Sequence, residues 1–115
     1  MAEVTMYHNP QCSKSRQTLA LLAEQGVEPD VVEYLKTPPD AKTLDELLQK
    51  LGLEPRELMR TKEDEYKALG LAEVADRAQL IQAMVEHPIL IERPIVVKGN
   101  QARIGRPPEQ VLDIL

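Results

Sequence analysis

Apolar and polar positions repeat with different periods along the chain, and each change of period predicts a change of element. Residues 3–7 are short and strand-like. Residues 8–11, polar and containing Pro10, predict a loop, after which Leu19, Leu22 and Ala23 fall on one face of a helix over 13–25. Gly26 is placed to stop that helix, and 31–35 reads as a second strand. A strand-helix-strand unit of this length requires a right-handed parallel crossover. The middle of the chain turns helical. Thr43 with Glu46 makes a capping-box pattern ahead of Leu44, Leu47, Leu48 and Leu51, and Gly52 follows as a stop. A helical stretch is expected over 55–70. Asp76 with Gln79 then marks a helix start before Leu80, Ile81, Met84 and Val85, and His87-Pro88 ends it. These stripes at helical spacing are read as core packing. Residues 94–98 and 102–104 predict two strands around Gly99-Asn100-Gln101, which suits a tight hairpin turn, and Pro107-Pro108 opens a final short helix. The sum is an α/β fold: a four-stranded mixed sheet flanked by helices.

Composition narrows the class. At 115 residues the chain fits one domain. With three Tyr, no Phe and no Trp, its core must be aliphatic, and a base-stacking platform is excluded. Nineteen acidic residues against 14 basic give a net charge of -5, which opposes general binding to nucleic acid or anionic lipid. Residues 1–7 lack the apolar stretch of a signal peptide, and no run approaches the roughly 20 apolar residues of a membrane span. A cytoplasmic protein with no membrane partner is expected. Cysteine and histidine are too few for a structural zinc site. The single cysteine, Cys12, has no intramolecular disulfide partner, so any thiol chemistry takes its second thiol from another molecule.

Cys12 falls between a predicted strand and a predicted helix start, where backbone N–H groups and the helix dipole favour negative charge. The same donors suit a thiolate and a bound oxyanion. Against this stands the commoner role of a lone cysteine as a small buried apolar residue. Polar neighbours Asn9, Gln11, Ser13 and Lys14 argue for partial exposure. Ser15 occupies the second-cysteine position of a Cys-x-x-Cys motif; its hydroxyl suits donation to a Cys12 thiolate, or is simply a satisfied first-turn group. His8 suits a cation beside the thiolate or a proton shuttle, or equally a loop histidine with a structural hydrogen bond.

The stretch His8-Asn9-Pro10-Gln11-Cys12-Ser13-Lys14-Ser15-Arg16 closely resembles the active-site loop of the glutaredoxin-coupled arsenate reductase family, and the likeness extends over nearly the whole chain. The resemblance implies a single thioredoxin-like domain over 1–115 with a helical insertion at about 37–88. It implies Cys12 as nucleophile, with Arg60, Arg93 and Arg106 converging on it to hold the oxyanion, and a cis bond between Arg93 and Pro94. Guanidinium forks match two oxygens of tetrahedral arsenate at once, which a lysine does not. Lys14 and Arg16 either add positive potential at the mouth or are solvated helix charges. Glutathione and glutaredoxin are implied as the external thiols, with no tightly bound cofactor and a monomeric state. The wider family includes glutathione-dependent thiol-disulfide reductases and Spx-like regulators that bind RNA polymerase. All three arginines favour arsenate reduction over the first, and the missing second cysteine counts against a redox-switched regulator.

Overall fold

In the computed structural model, which describes residues 4–92 and 94–115, the sheet is built on an apolar run that alternates on one strand and is continuous on the next. Strand β1 (Val4–His8) buries Val4, Met6 and His8 on one face. It pairs in parallel with β2 (Asp30–Glu33) and antiparallel with β3 (Ile95–Lys98), which in turn pairs antiparallel with β4 (Gln101–Ile104). The order β2-β1-β3-β4 leaves β1 and β3 inside. That position explains why β3 reads as an unbroken Ile95-Val96-Val97 run, buried on both faces, whereas edge strand β2 is largely exposed. This is the four-stranded mixed sheet that the sequence pattern predicts, in the thioredoxin-like form that the resemblance implies.

Between β1 and β2 runs α1 (Ser13–Glu24), which ends just before Gly26 at φ 73°. Leu22 of α1 meets Val4, Met6 and Val96 of the sheet together with Val111 and Ile114. The last two belong to the final short helix that the sequence predicts, which is a 3-10 helix, Pro108–Ile114. The hairpin turn is two residues, Gly99-Asn100, because Gln101 pairs with Lys98 and so belongs to the strand.

The chain divides into two compact units: Met1–Thr37 with Arg93–Leu115, and Pro38–Glu92. Where an insertion over about 37–88 is expected, the second unit runs to Glu92. Its last residues bond back to its own interior: Met59 and Ile91 form an antiparallel bridge, Arg60 N–H donates to Leu90 C=O at 2.7 Å, and Glu92 N–H donates to Leu58 C=O at 2.8 Å. The same bonds account for a second difference. The stretch 55–70 is not one helix but two, α3 (Pro55–Leu58) and α4 (Asp64–Ala68), because Met59 is extended to make the bridge. Before them, α2 (Ala41–Leu51) is capped by Asp40, whose carboxylate accepts Thr43 N–H at 2.8 Å, so the cap lies one turn ahead of the expected Thr43. That bond holds the exposed Asp40 carboxyl below its ordinary value. Gly52 closes α2 at φ 71°, in the left-handed region that glycine enters without a Cβ penalty. Helix α5 (Arg77–Glu86) begins at Asp76 as expected, packs on α2 and α3, and buries Leu80, Ile81, Ala83 and Met84.

Arg56 holds the irregular part of this unit. Its guanidinium donates to the Tyr66 hydroxyl, to Leu71 C=O at 3.0 Å and to Val74 C=O. Replacing it leaves half-buried acceptors unpaired, so Arg56→Met is expected to cost about 1–3 kcal/mol of stability. Arg56→Lys should recover only part of this, because one ammonium cannot span three acceptors as a planar fork does. Urea denaturation of the three proteins measures both; full stability in Arg56→Met would contradict the role.

Candidate active site

The first unit gathers its polar buried groups at one end of β1. His8 closes the inward face of that strand at 6% exposure, rather than lying in the loop, and Asn9, Ser15 and Thr18 are also buried. A buried polar group must find partners, and here they lie along the loop itself. Asn9 Oδ1 accepts Gln11 N–H at 3.0 Å, and Asn9 C=O accepts Cys12 N–H at 3.0 Å, folding 9–12 into a tight turn. Ser15 Oγ accepts Asn9 N–H at 3.0 Å and lies 2.6 Å from His8 Nδ1. Arg16 reaches back from the helix and donates to Pro10 C=O at 3.2 Å. The first helical turn thus anchors the loop that precedes it.

Cys12 is the N-cap residue of α1, in extended conformation at φ -92° and ψ 124°, and its carbonyl accepts the first helical bond from Arg16 N–H at 3.0 Å. A thiol stands where Ser, Thr, Asp or Asn usually caps, and it makes no capping bond. The N–H groups of the first turn therefore have no intrahelical acceptor, and no acidic residue occupies that turn. Both features favour an anion at this point. From the far end of the chain Arg106 completes the site, its Nη2 donating to Cys12 Sγ at 3.4 Å. Both residues are half-buried.

Of the residues singled out in the sequence, the structure joins Cys12 to Arg106 and His8 to Ser15. Arg60 belongs to the second unit, where it pairs with Glu63 at 3.1 Å and Glu92 at 3.8 Å. Arg93, and with it the expected cis bond to Pro94, lies outside the described residues. Among the described residues the cis peptide is Arg106–Pro107. Lys14 and Arg16 are exposed helix charges, Arg16 with the loop bond already noted. Sequence reading missed Asn9 as the organiser of the turn, although Asn ahead of Pro is a turn signal with a mechanism, its side chain accepting an N–H two residues on.

The state of His8 follows from its burial, which lowers its pKa below the ordinary 6.5; Glu33 opposes this and Arg16 adds to it. The ring is neutral at pH 7, so the direct cationic partner considered for the thiolate is disfavoured. Its bond to Ser15 ties two protons together: with Nδ1 bare, the hydroxyl donates to it; with Nδ1 protonated, the ring donates and the hydroxyl proton turns to another acceptor. Unfolding restores the ordinary proton affinity, so below about pH 6.5 the unfolded chain binds more protons and stability falls. The native protein should lose more stability than His8→Gln between about pH 7.5 and 5.5. Equal losses in denaturant titrations at the two pH values would contradict the buried neutral ring.

Known proteins resemble the chain over nearly its full length. The ArsC family model matches residues 7–114. The chain is 63% identical to the Escherichia coli K12 protein YfgD over 115 residues, covering 98% of this chain and 97% of that one. It is 49% identical to the arsenate reductase of Haemophilus influenzae, over 97% of this chain and 98% of that protein. A solved arsenate reductase from Vibrio cholerae superposes with a TM-score of 0.95 at 58% identity, covering 97% of both chains. With the family pattern spanning nearly every residue and the loop cysteine set against a returning arginine, the chain belongs to the ArsC family.

Proposed function

We propose that this protein reduces arsenate to arsenite, with Cys12 as the nucleophile. The observation that carries the reading is the guanidinium of Arg106 on Cys12 Sγ at the uncapped start of α1. A thiolate there gains a charge-assisted hydrogen bond and faces unspent N–H groups. An arsenate oxyanion approaching the sulfur meets the same donors. Glutathione and glutaredoxin serve as the external thiols, no tightly bound cofactor takes part, and the protein works as a monomer in the reducing cytoplasm.

In the first step Cys12 sulfur displaces an arsenate oxygen, which leaves as water, giving an enzyme-bound arsenic(V) thioester. Charge on the remaining oxygens is held by Arg106, and the family resemblance adds Arg60 and Arg93 as oxyanion-binding arginines. Glutathione adds its sulfur to arsenic in the same way, releasing a second water. A glutaredoxin thiolate then attacks the glutathione sulfur. The electron pair of the sulfur–arsenic bond passes to arsenic, leaving arsenic(III) on Cys12 and a glutathione–glutaredoxin mixed disulfide. Water hydrolyses the Cys12–arsenic bond to release arsenite and regenerate the thiol. A second glutathione resolves the mixed disulfide, so two glutathiones are oxidised for each arsenate reduced. His8 and Ser15 stabilise the thiolate indirectly: the neutral ring sets the direction of the hydroxyl proton, and their bonds hold the loop on which Cys12 stands.

Arsenite formation with glutathione, glutaredoxin, glutathione reductase and NADPH tests this. The native protein is expected to turn over, and Cys12→Ser to be inactive with its fold retained. Arg106→Lys should lower kcat/KM at least about tenfold, because a bidentate fork becomes a point charge. Arg60→Lys and Arg93→Lys should weaken arsenate handling in the same direction. No Cys12-dependent arsenite at any arsenate concentration would reject the activity, and unchanged kinetics in all three lysine variants would reject the oxyanion role. Turnover of a glutathione mixed disulfide without arsenate would instead mark a thiol-disulfide reductase.

A further inference from the structure

We propose that Gly105 and Thr18 act as a positioning pair that sets Arg106 against Cys12. Gly105 lies between the end of β4 and Arg106, is buried, and donates its N–H to Pro94 C=O at 2.9 Å. Its φ is not in the left-handed region, so the backbone does not demand glycine for its conformation. Space does. A Cβ at this position would stand 2.5 Å from Thr18 Oγ1, 2.8 Å from Pro94 Cγ and 3.2 Å from Thr18 Cγ2.

Thr18 is a firm stop. It is fully buried, and its hydroxyl donates to Lys14 C=O at 2.8 Å, so its side chain cannot swing aside without giving up that bond. It also stands on α1, the helix whose first end carries Cys12. The contact therefore gauges two things at once: how closely the chain leaving β4 approaches α1, and from where Arg106, the next residue, begins its reach to the sulfur. A methyl group at 105 would push this segment off α1 by roughly 1 Å, a misplacement large enough to lower a reaction rate by about 100-fold.

The inference rests on reading Cys12 as the nucleophile, and the test separates the two. Because Cys12 is the only thiol, the rate of its alkylation by iodoacetamide as a function of pH reports the thiolate without any arsenate chemistry. Full-length native protein is compared with Gly105→Ala, Arg106→Gln, Gly105→Ala/Arg106→Gln and Gly105→Ala/Thr18→Ala, with folding followed by circular dichroism. Gly105→Ala should move the alkylation profile to higher pH in the direction of Arg106→Gln. The first double variant should move it no further than Arg106→Gln alone. Thr18→Ala removes two of the three close contacts and leaves only Pro94 Cγ at 2.8 Å, so it should restore at least half of the shift. Arsenate kcat/KM should fall by about 100-fold in Gly105→Ala. If arsenate is not the substrate, turnover is absent in every protein while the alkylation profiles still decide. An unmoved profile in a folded Gly105→Ala protein, or additive shifts in the first double variant, would overturn the proposal. So would unfolding that Thr18→Ala does not reverse.

Discussion

A guanidinium donating to a sulfur at the start of a helix is the interaction around which the first unit is arranged. Its two halves come from opposite ends of the sequence, residue 12 and residue 106, and only the sheet brings them together. Parallel pairing of β1 and β2 sends the chain through α1 and fixes where that helix begins. Antiparallel pairing of β1 with β3 and of β3 with β4 returns the chain to the same place. The aliphatic cluster of Val4, Met6, Leu22, Val96, Val111 and Ile114 locks α1 and the C-terminal 3-10 helix onto one sheet face. Burial of that surface is what makes the polar end of β1 rigid, since its side chains project from elements that cannot shift independently.

Polarity is then arranged so that little of it is left unspent except at the sulfur. Asn9, Ser15 and His8 satisfy one another and the turn. Arg16 ties the loop from outside. Cys12 occupies the capping position of α1 without a side-chain capping bond, so that helix end keeps its attraction for negative charge. An acidic protein thus carries a local site of the opposite sign, which a net charge of -5 conceals.

Elements governed by local rules were legible in the sequence: α1 from its apolar face, the start of α5 from Asp76, the end of α2 from Gly52, and the Gly99-Asn100 turn. Where remote bonds decide, local rules misread the chain. Residues 55–70 carry helical residues throughout, yet the bridge from Met59 to Ile91 breaks them into two helices. Cys12 and the loop were legible from position and neighbours. The approach of Arg106 was not, because nothing in the spacing of residues 12 and 106 encodes it; only likeness to a known loop pointed there. Gly105 was invisible for the same reason, since its requirement is a steric one set by Thr18, 87 positions away in the chain.

The most direct measurement is the ultraviolet absorbance of the thiolate near 240 nm as a function of pH, read as the difference between the native protein and Cys12→Ser, so that a single sulfur supplies the signal. With Arg106 and the helix start stabilising the anion, half of the signal should be present at a pH clearly below the ordinary thiol value of about 8.5, and the midpoint should rise when Arg106 is replaced by glutamine. A midpoint at or above that value, unmoved by the replacement, would contradict the account.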